Sequence, residues 1–185
     1  MKKILGALVI ALFAVGANAQ VFEKGSNIVT VQLGIGSGFG QRVAYEYSLV
    51  ELLNGKASIG VGGSLNNRFY SDKIKNEYGK EKWGYNTFTV TAIGSFHYEF
   101  VDKLDTYLTV GVGGGAYTST HKVNFANSAE KEYGVEDFKE SASIGCFNWV
   151  SSIGARYYFT DKWAANAELG WTGANYFAIG ATYKF

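Results

Sequence analysis

From Asn27 onward the chain alternates between apolar and polar positions. Eight segments carry the pattern: Asn27–Gly36, Gln41–Leu49, Lys56–Leu65, Thr87–Phe100, Asp105–Thr118, Ser143–Phe159, Trp163–Trp171 and Asn175–Phe185. A period of two places successive side chains on opposite faces of a sheet, so each segment is expected to be a strand. No helical period competes after the first nineteen residues; Asp72–Lys82 would hold at most a short helical turn. The expected fold is all-β.

The two faces differ in kind. In the last segment Phe177, Ile179, Ala181, Tyr183 and Phe185 share one face, and Tyr176, Ala178, Gly180, Thr182 and Lys184 share the other. In the seventh, Trp163, Ala165, Ala167, Leu169 and Trp171 oppose Ala164, Asn166, Glu168 and Gly170. The charges within the segments, Arg42, Glu46, Glu99, Arg156, Glu168 and Lys184, all avoid the apolar face. A charge facing lipid near mid-membrane costs about 2–4 kcal/mol, so a lipid-facing surface excludes them. A soluble barrel of the lipocalin kind would put the apolar set inside and the charges outside. The pattern therefore predicts an eight-stranded antiparallel up-and-down transmembrane β-barrel. Trp163, Phe159, Phe100, Tyr47 and Phe185 would form a lower aromatic girdle, and Trp171, Phe177, Trp149 and Phe88 an upper one.

The connections alternate in length. Those after the second, fourth and sixth segments are short, whereas 66–86 and 119–142 are long and fall at one end. Outer-membrane barrels have short periplasmic turns and longer outside loops, and an even strand number returns both termini to the short-turn side.

Residues 1–19 read as a secretory signal peptide, with Lys2 and Lys3, an apolar run from Ile4 to Val15, and Ala17-Asn18-Ala19 as a cleavage site. The barrel domain would then span 20–185. A net charge of +1 argues against a nucleic-acid partner. One cysteine allows no internal disulfide. The absence of proline suits a chain made mostly of hydrogen-bonded sheet.

The terminal Gly180-Ala-Thr-Tyr-Lys-Phe185, the signal peptide and the alternation throughout resemble the small eight-stranded outer-membrane barrels of Gram-negative bacteria, such as the OmpA membrane domain and OmpX. The resemblance implies a monomer in the cell outer membrane. It also implies Tyr183 and Phe185 as the signal for the barrel-assembly machinery. Outer-membrane lipid and lipopolysaccharide are the expected surroundings. The pattern marks a membrane, not a chemistry.

Arg42, Glu46, Glu99, Arg156, Glu168 and Lys184 are expected to form an ion network in the lumen. Eight strands leave a bore only wide enough for side chains to fill, so the network reads as a structural plug. Inward glycines would leave room beside Tyr107, Tyr117, Tyr158 and Tyr176 for a few waters. His97 should face inward near the periplasmic rim. His121, with Ser119 and Glu130 or Glu140, is the sole candidate for a hydrolytic group, but the order Ser-x-His does not fit the lipid A deacylases. No catalytic residue, cofactor site or metal site is therefore assigned. Gly111–Ala116 lacks the lysine and helix start of a phosphate cradle.

The long loops are where recognition would reside. The first is basic, with Arg68, Lys73, Lys75, Lys80 and Lys82; the second is acidic, with Glu130, Glu132, Glu136, Asp137 and Glu140. Opposite charge would draw them together. Arg68, Tyr70, Lys73, Trp83, Tyr85, Phe125, Tyr133 and Phe138 are the candidate contacts for an extracellular ligand or host surface. The expected role is structural or surface-interacting, with a narrow porin-like barrel or a lipid-modifying enzyme as alternatives.

Overall fold

The computed structural model describes residues 22–36, 38–76, 79–125, 134 and 136–185. The expected signal peptide and Tyr133 lie outside them. Eight strands follow in order: β1 Asn27–Gly36, β2 Gly38–Leu52, β3 Ala57–Asn76, β4 Gly79–Val101, β5 Leu104–Phe125, β6 Phe138–Tyr158, β7 Trp163–Trp171 and β8 Phe177–Lys184, with a 3-10 turn at Leu53–Gly55. Each strand pairs antiparallel with the next, and β1 pairs with β8 from Ile28↔Lys184 to Ile35↔Phe177, which closes the barrel.

Alternation becomes inside and outside as the polarity requires. On β1, Val31, Leu33 and Ile35 are exposed while Ile28, Thr30 and Gln32 are buried. On β2, Val43, Tyr45, Tyr47 and Leu49 face out, and Arg42, Ala44, Glu46 and Ser48 face in. β7 has 9 residues, which span about 30 Å along the strand and about 23 Å along the normal at a tilt near 40°. That matches an apolar band.

Two expectations about the upper end are corrected. Residues 66–86 and 119–142 are not loops for most of their length. β3 and β4 run to Asn76 and from Gly79, and β5 and β6 run to Phe125 and from Phe138. Asp72–Lys82 is likewise extended strand where it is described, with no helical turn. The two hairpins do not merely attract each other by charge. They are joined by an unbroken ladder from Gly79↔Phe125 down to Glu99↔Asp105. A four-stranded wall, β3 to β6, thus rises above the rest of the barrel. β2 leaves β3 at Phe69, and β7 leaves β6 at Ser151, so Tyr70–Asn76 and Phe138–Val150 are its two edges.

A further correction concerns the turn between β7 and β8. Tyr176 is expected in the lumen. Trp171 keeps the outward register opposite Ser151, its ring 6.5 Å from that of Trp149, and is half-buried with the Arg68 guanidinium 5.3 Å from its ring centroid. Tyr176 is exposed, its ring 5.0 Å from that of Trp171. Between them Thr172, Ala174 and Asn175 dip into the barrel mouth and are fully buried.

The outer face changes character with height, and this is testable. Val110 lies on the lipid-facing register and Ser71 on the same outer face of the wall. Val110→Arg should lower folding stability by about 2–4 kcal/mol in lipid vesicles, and Ser71→Arg should leave it nearly unchanged. Urea unfolding in vesicles measures both.

Candidate functional site

The lumen is filled in layers. At the top, Asn66 and Asn148 both donate to the hydroxyls of Thr89 and Thr91, at 2.9–3.3 Å. The Thr172–Asn175 turn sits on this layer, with Gly173 against the side chains of Asn66 and Asn148. Below it, Arg42 Nη1 donates to Glu168 Oε2 at 2.8 Å and to Gln32 Oε1 at 3.1 Å. Tyr107 donates its hydroxyl to Glu168 Oε1 at 2.9 Å, and Ser152 reaches Oε2 at 3.3 Å. Tyr107 lies across Gly154, where any Cβ would collide with its ring.

The next layer holds four ionisable groups. Arg156 donates to Glu46 through Nη2 and to Asp105 through Nη1 at 3.2 Å. His97 bridges the same two carboxylates, Nδ1 to Asp105 at 3.0 Å and Nε2 to Glu46 at 3.2 Å. The Arg156 guanidinium also lies 4.1 Å from the centroid of the Tyr107 ring. At the bottom Phe22 packs its ring 4.4 Å from that of His97 and is itself buried. Ion pairs in a low-dielectric bore persist only where each charge faces one of opposite sign.

Among the six expected network residues, the structure brings Arg42 together with Glu168, and Arg156 with Glu46. Glu99 and Lys184 are only half-buried near the rim; Glu99 lies opposite Asp105 across the β4–β5 ladder, and the Lys184 Nζ lies 5.4 Å from the Tyr158 ring. Sequence reasoning missed Asp105, treated only as the start of a strand. It found His97 on the inner face without its partners. Tyr107 lies among these groups, between Gly154, Glu168 and the Arg156 guanidinium.

The wall above the lumen has two unlike faces. Inward lie Arg68, Tyr70 and Asp72 of β3, Glu81, Trp83 and Tyr85 of β4, Tyr117, Ser119 and His121 of β5, and Phe138 and Glu140 of β6. Tyr70, Tyr85 and Tyr117 stack in sequence at 6.1 Å. His121 stacks on Trp83 at 3.7 Å and meets the edge of Phe138 at 5.3 Å. Its Nε2 pairs with Glu81 at 2.6 Å. A cleft of about 540 Å³ is lined by Trp83, Ser119, His121, Glu140, Ser141 and Ala142. Of the candidate contacts, Tyr70, Trp83, Tyr85 and Phe138 therefore gather on this inner face, Arg68 sits at its base, Lys73 points to the opposite face, and Phe125 ends β5 with its N–H donating to Asp137 at 2.8 Å. Among the described residues, no cluster of His, Cys, Asp and Glu has the arrangement of a metal site.

A closed eight-stranded up-and-down barrel, apolar outside and charged inside, has the architecture of a transmembrane β-barrel. Among solved structures the chain is similar to Ail, the attachment invasion locus protein of Yersinia pestis, at 14% identity and a TM-score of 0.41, covering 88% of this chain and 100% of that one. Ail in complex with the heparin analogue sucrose octasulfate gives the same identity and TM-score, covering 86% and 96%. The likeness concerns fold alone. No protein-family model matches the chain, and the comparison with curated proteins found no match.

Breaking one buried pair should expose its cost. Arg42→Met strands Glu168 and should destabilise the barrel by about 3–5 kcal/mol. Adding Glu168→Gln should recover most of that loss, as read from urea midpoints of the single and double variants.

Proposed function

We propose that the protein is an outer-membrane barrel whose work is done at the cell surface by the β3–β6 wall, with the barrel as its anchor. The observation that carries this reading is the division of labour within the molecule. The bore is packed at every level from Phe22 to the Thr172–Asn175 turn, whereas the wall holds exposed aromatic and charged side chains and two edges. Edge strands offer backbone groups for a partner to pair with, and loops or hairpins on a rigid scaffold are where recognition is placed.

On this reading the wall meets an extracellular ligand or host surface through Arg68, Tyr70, Trp83, Tyr85 and Phe138, and its flanks meet lipopolysaccharide. The barrel is a monomer on this reading, and closure leaves no strand edge within the lipid for a second copy to pair with. Residues 1–19 direct export, and Tyr183 and Phe185 serve the assembly machinery. Transport of solutes is disfavoured by the packed lumen. Lipid modification is disfavoured because, among the described residues, His121 pairs with Glu81 but makes no hydrogen bond to Ser119 or another hydroxyl, while a hydrolytic base must reach its nucleophile.

Single cysteines in a Cys146→Ser background test the orientation. Ser141→Cys should label with an impermeant maleimide on intact cells, and Asp161→Cys only after permeabilisation. Labelling in the reverse pattern would invert the molecule, and recovery of the protein in the soluble periplasm would sink the assignment. Purified barrel in planar bilayers should show no conductance steps.

A further inference from the structure

The outer face of the wall carries an array of lysines set by strand register. Lys73 of β3 lies opposite Lys82 of β4, Lys82 opposite Lys122 of β5, and Lys122 opposite Lys139 of β6. One rung therefore crosses all four strands, with neighbouring cations about 5 Å apart at the backbone. Lys75 and Lys80 form a second pair two residues higher. All six side chains are exposed, and among the described residues none has an ion pair. Like charges placed directly opposite one another destabilise a sheet. The wall bears that cost three times over in one row.

Among the described residues of these strands, the acids are turned away from it. Asp72, Glu81 and Glu140 belong to the inner face of the same strands, and Glu81 is taken by His121. Asp72 accepts from the backbone N–H of Lys73, and Asp137 is held by Asn124 and the Phe125 N–H.

The height of the rung indicates what relieves it. Phe69, Phe88 and Phe147 end the outward apolar surface of β3, β4 and β6. Above them the same face carries Ser71, Asn86, Thr118, Thr120, Ser141 and Ser143, with hydroxyl pairs Thr118–Ser143 at 2.8 Å and Thr120–Ser141 at 3.0 Å. Lys82 is six residues beyond Phe88, about 20 Å along the strand and about 15 Å above the apolar edge once tilt is allowed for. The array thus looks sideways, over a polar collar, at the sugar layer of neighbouring glycolipid.

We propose that this lysine array is a binding site for the phosphates and carboxylates of the lipopolysaccharide inner core. Extended anionic sugars laid across β3–β6 meet a cation at each strand and remove the repulsion among them. The proposal rests on the outer-membrane reading above and specifies which residues grip the leaflet, and at what depth.

The test compares the wild type with the fourfold variant Lys73→Gln, Lys82→Gln, Lys122→Gln and Lys139→Gln. Both are folded into phosphatidylethanolamine vesicles containing core-bearing lipopolysaccharide, lipid A alone, or no anionic glycolipid, and the urea midpoint is read. Without anionic glycolipid and at low salt, the variant should be the more stable of the two. With core-bearing lipopolysaccharide the order should reverse, and high salt should erase the difference. Affinity for core-bearing lipopolysaccharide should fall roughly a thousandfold in the variant. Equal responses in both proteins would overturn the proposal. So would a full effect from lipid A alone, whose phosphates lie below the rung, or stabilisation by soluble heparin where core-bearing vesicles give none. If the wild type itself fails to insert and shows no heat-dependent gel migration, the membrane reading falls, and this proposal with it.

Discussion

Closure of β1 onto β8 is the constraint from which the rest follows. In lipid no water replaces a missing backbone partner, so a spanning sheet must have no edge. The β1–β8 ladder satisfies that condition across the whole apolar band. It also fixes the strand number at eight, and with it a bore that side chains must fill. The short β7 and β8 are just long enough for the band. β3 to β6 continue past it because above the lipid an edge is tolerable.

The filled bore then determines where charge can reside. Arg42 and Glu46 on β2 find their partners on β7 and β6, across the lumen and not along the sheet. His97 of β4 and Asp105 of β5 complete the lower cluster. Each ion has at least one partner of opposite charge, and removing any one leaves the others desolvated. Such groups add little net stability, since burial opposes the Coulombic gain. Their effect lies in specificity: a slip of register on β2 would turn Arg42 and Glu46 toward lipid.

How much of this was legible depended on the contrast between the two faces. Where one face met lipid, as on β1 and β7, the sequence pattern gave the strand bounds found in the structure. Above the rim the contrast disappears. Lys73 and Lys75 alternate with Asp72 and Ile74, and Lys80 and Lys82 with Glu81 and Trp83, so hydropathy alone shows a polar stretch and suggests a loop. The strand signal was present as an alternation of lysine with acid or aromatic, and it needed a count by charge and ring. The lumen pairs were partly hidden for another reason. Alternation says that Arg42, Glu46, Arg156 and Glu168 face inward, but which of them meet depends on stagger around the barrel. Asp105 sat beside a turn, where an acid is unremarked. The inward dip of Thr172–Asn175 had no signal beyond Gly170 and Gly173, both at positive φ.

The wall inherits its parity from the barrel, and this gives its two faces their meaning. The β4–β5 ladder runs without a shift from Glu99 to Gly79, so the register that turns Phe88 and Val90 to lipid also turns Lys82 and Lys80 outward above it. The register that buries Thr89 and Thr91 likewise places Trp83 and Tyr85 over the mouth. One strand therefore presents lipid, polar collar and cation in succession on its outer side, and ion pair, amide–hydroxyl layer and aromatic stack on its inner side. Net charge summed along each hairpin hides this, because the cations and acids are sorted by face and not by segment. Moving a lysine by one position would conserve composition and place a cation among the rings of Tyr85, Tyr117 and Trp83. Only the odd–even position carries the information.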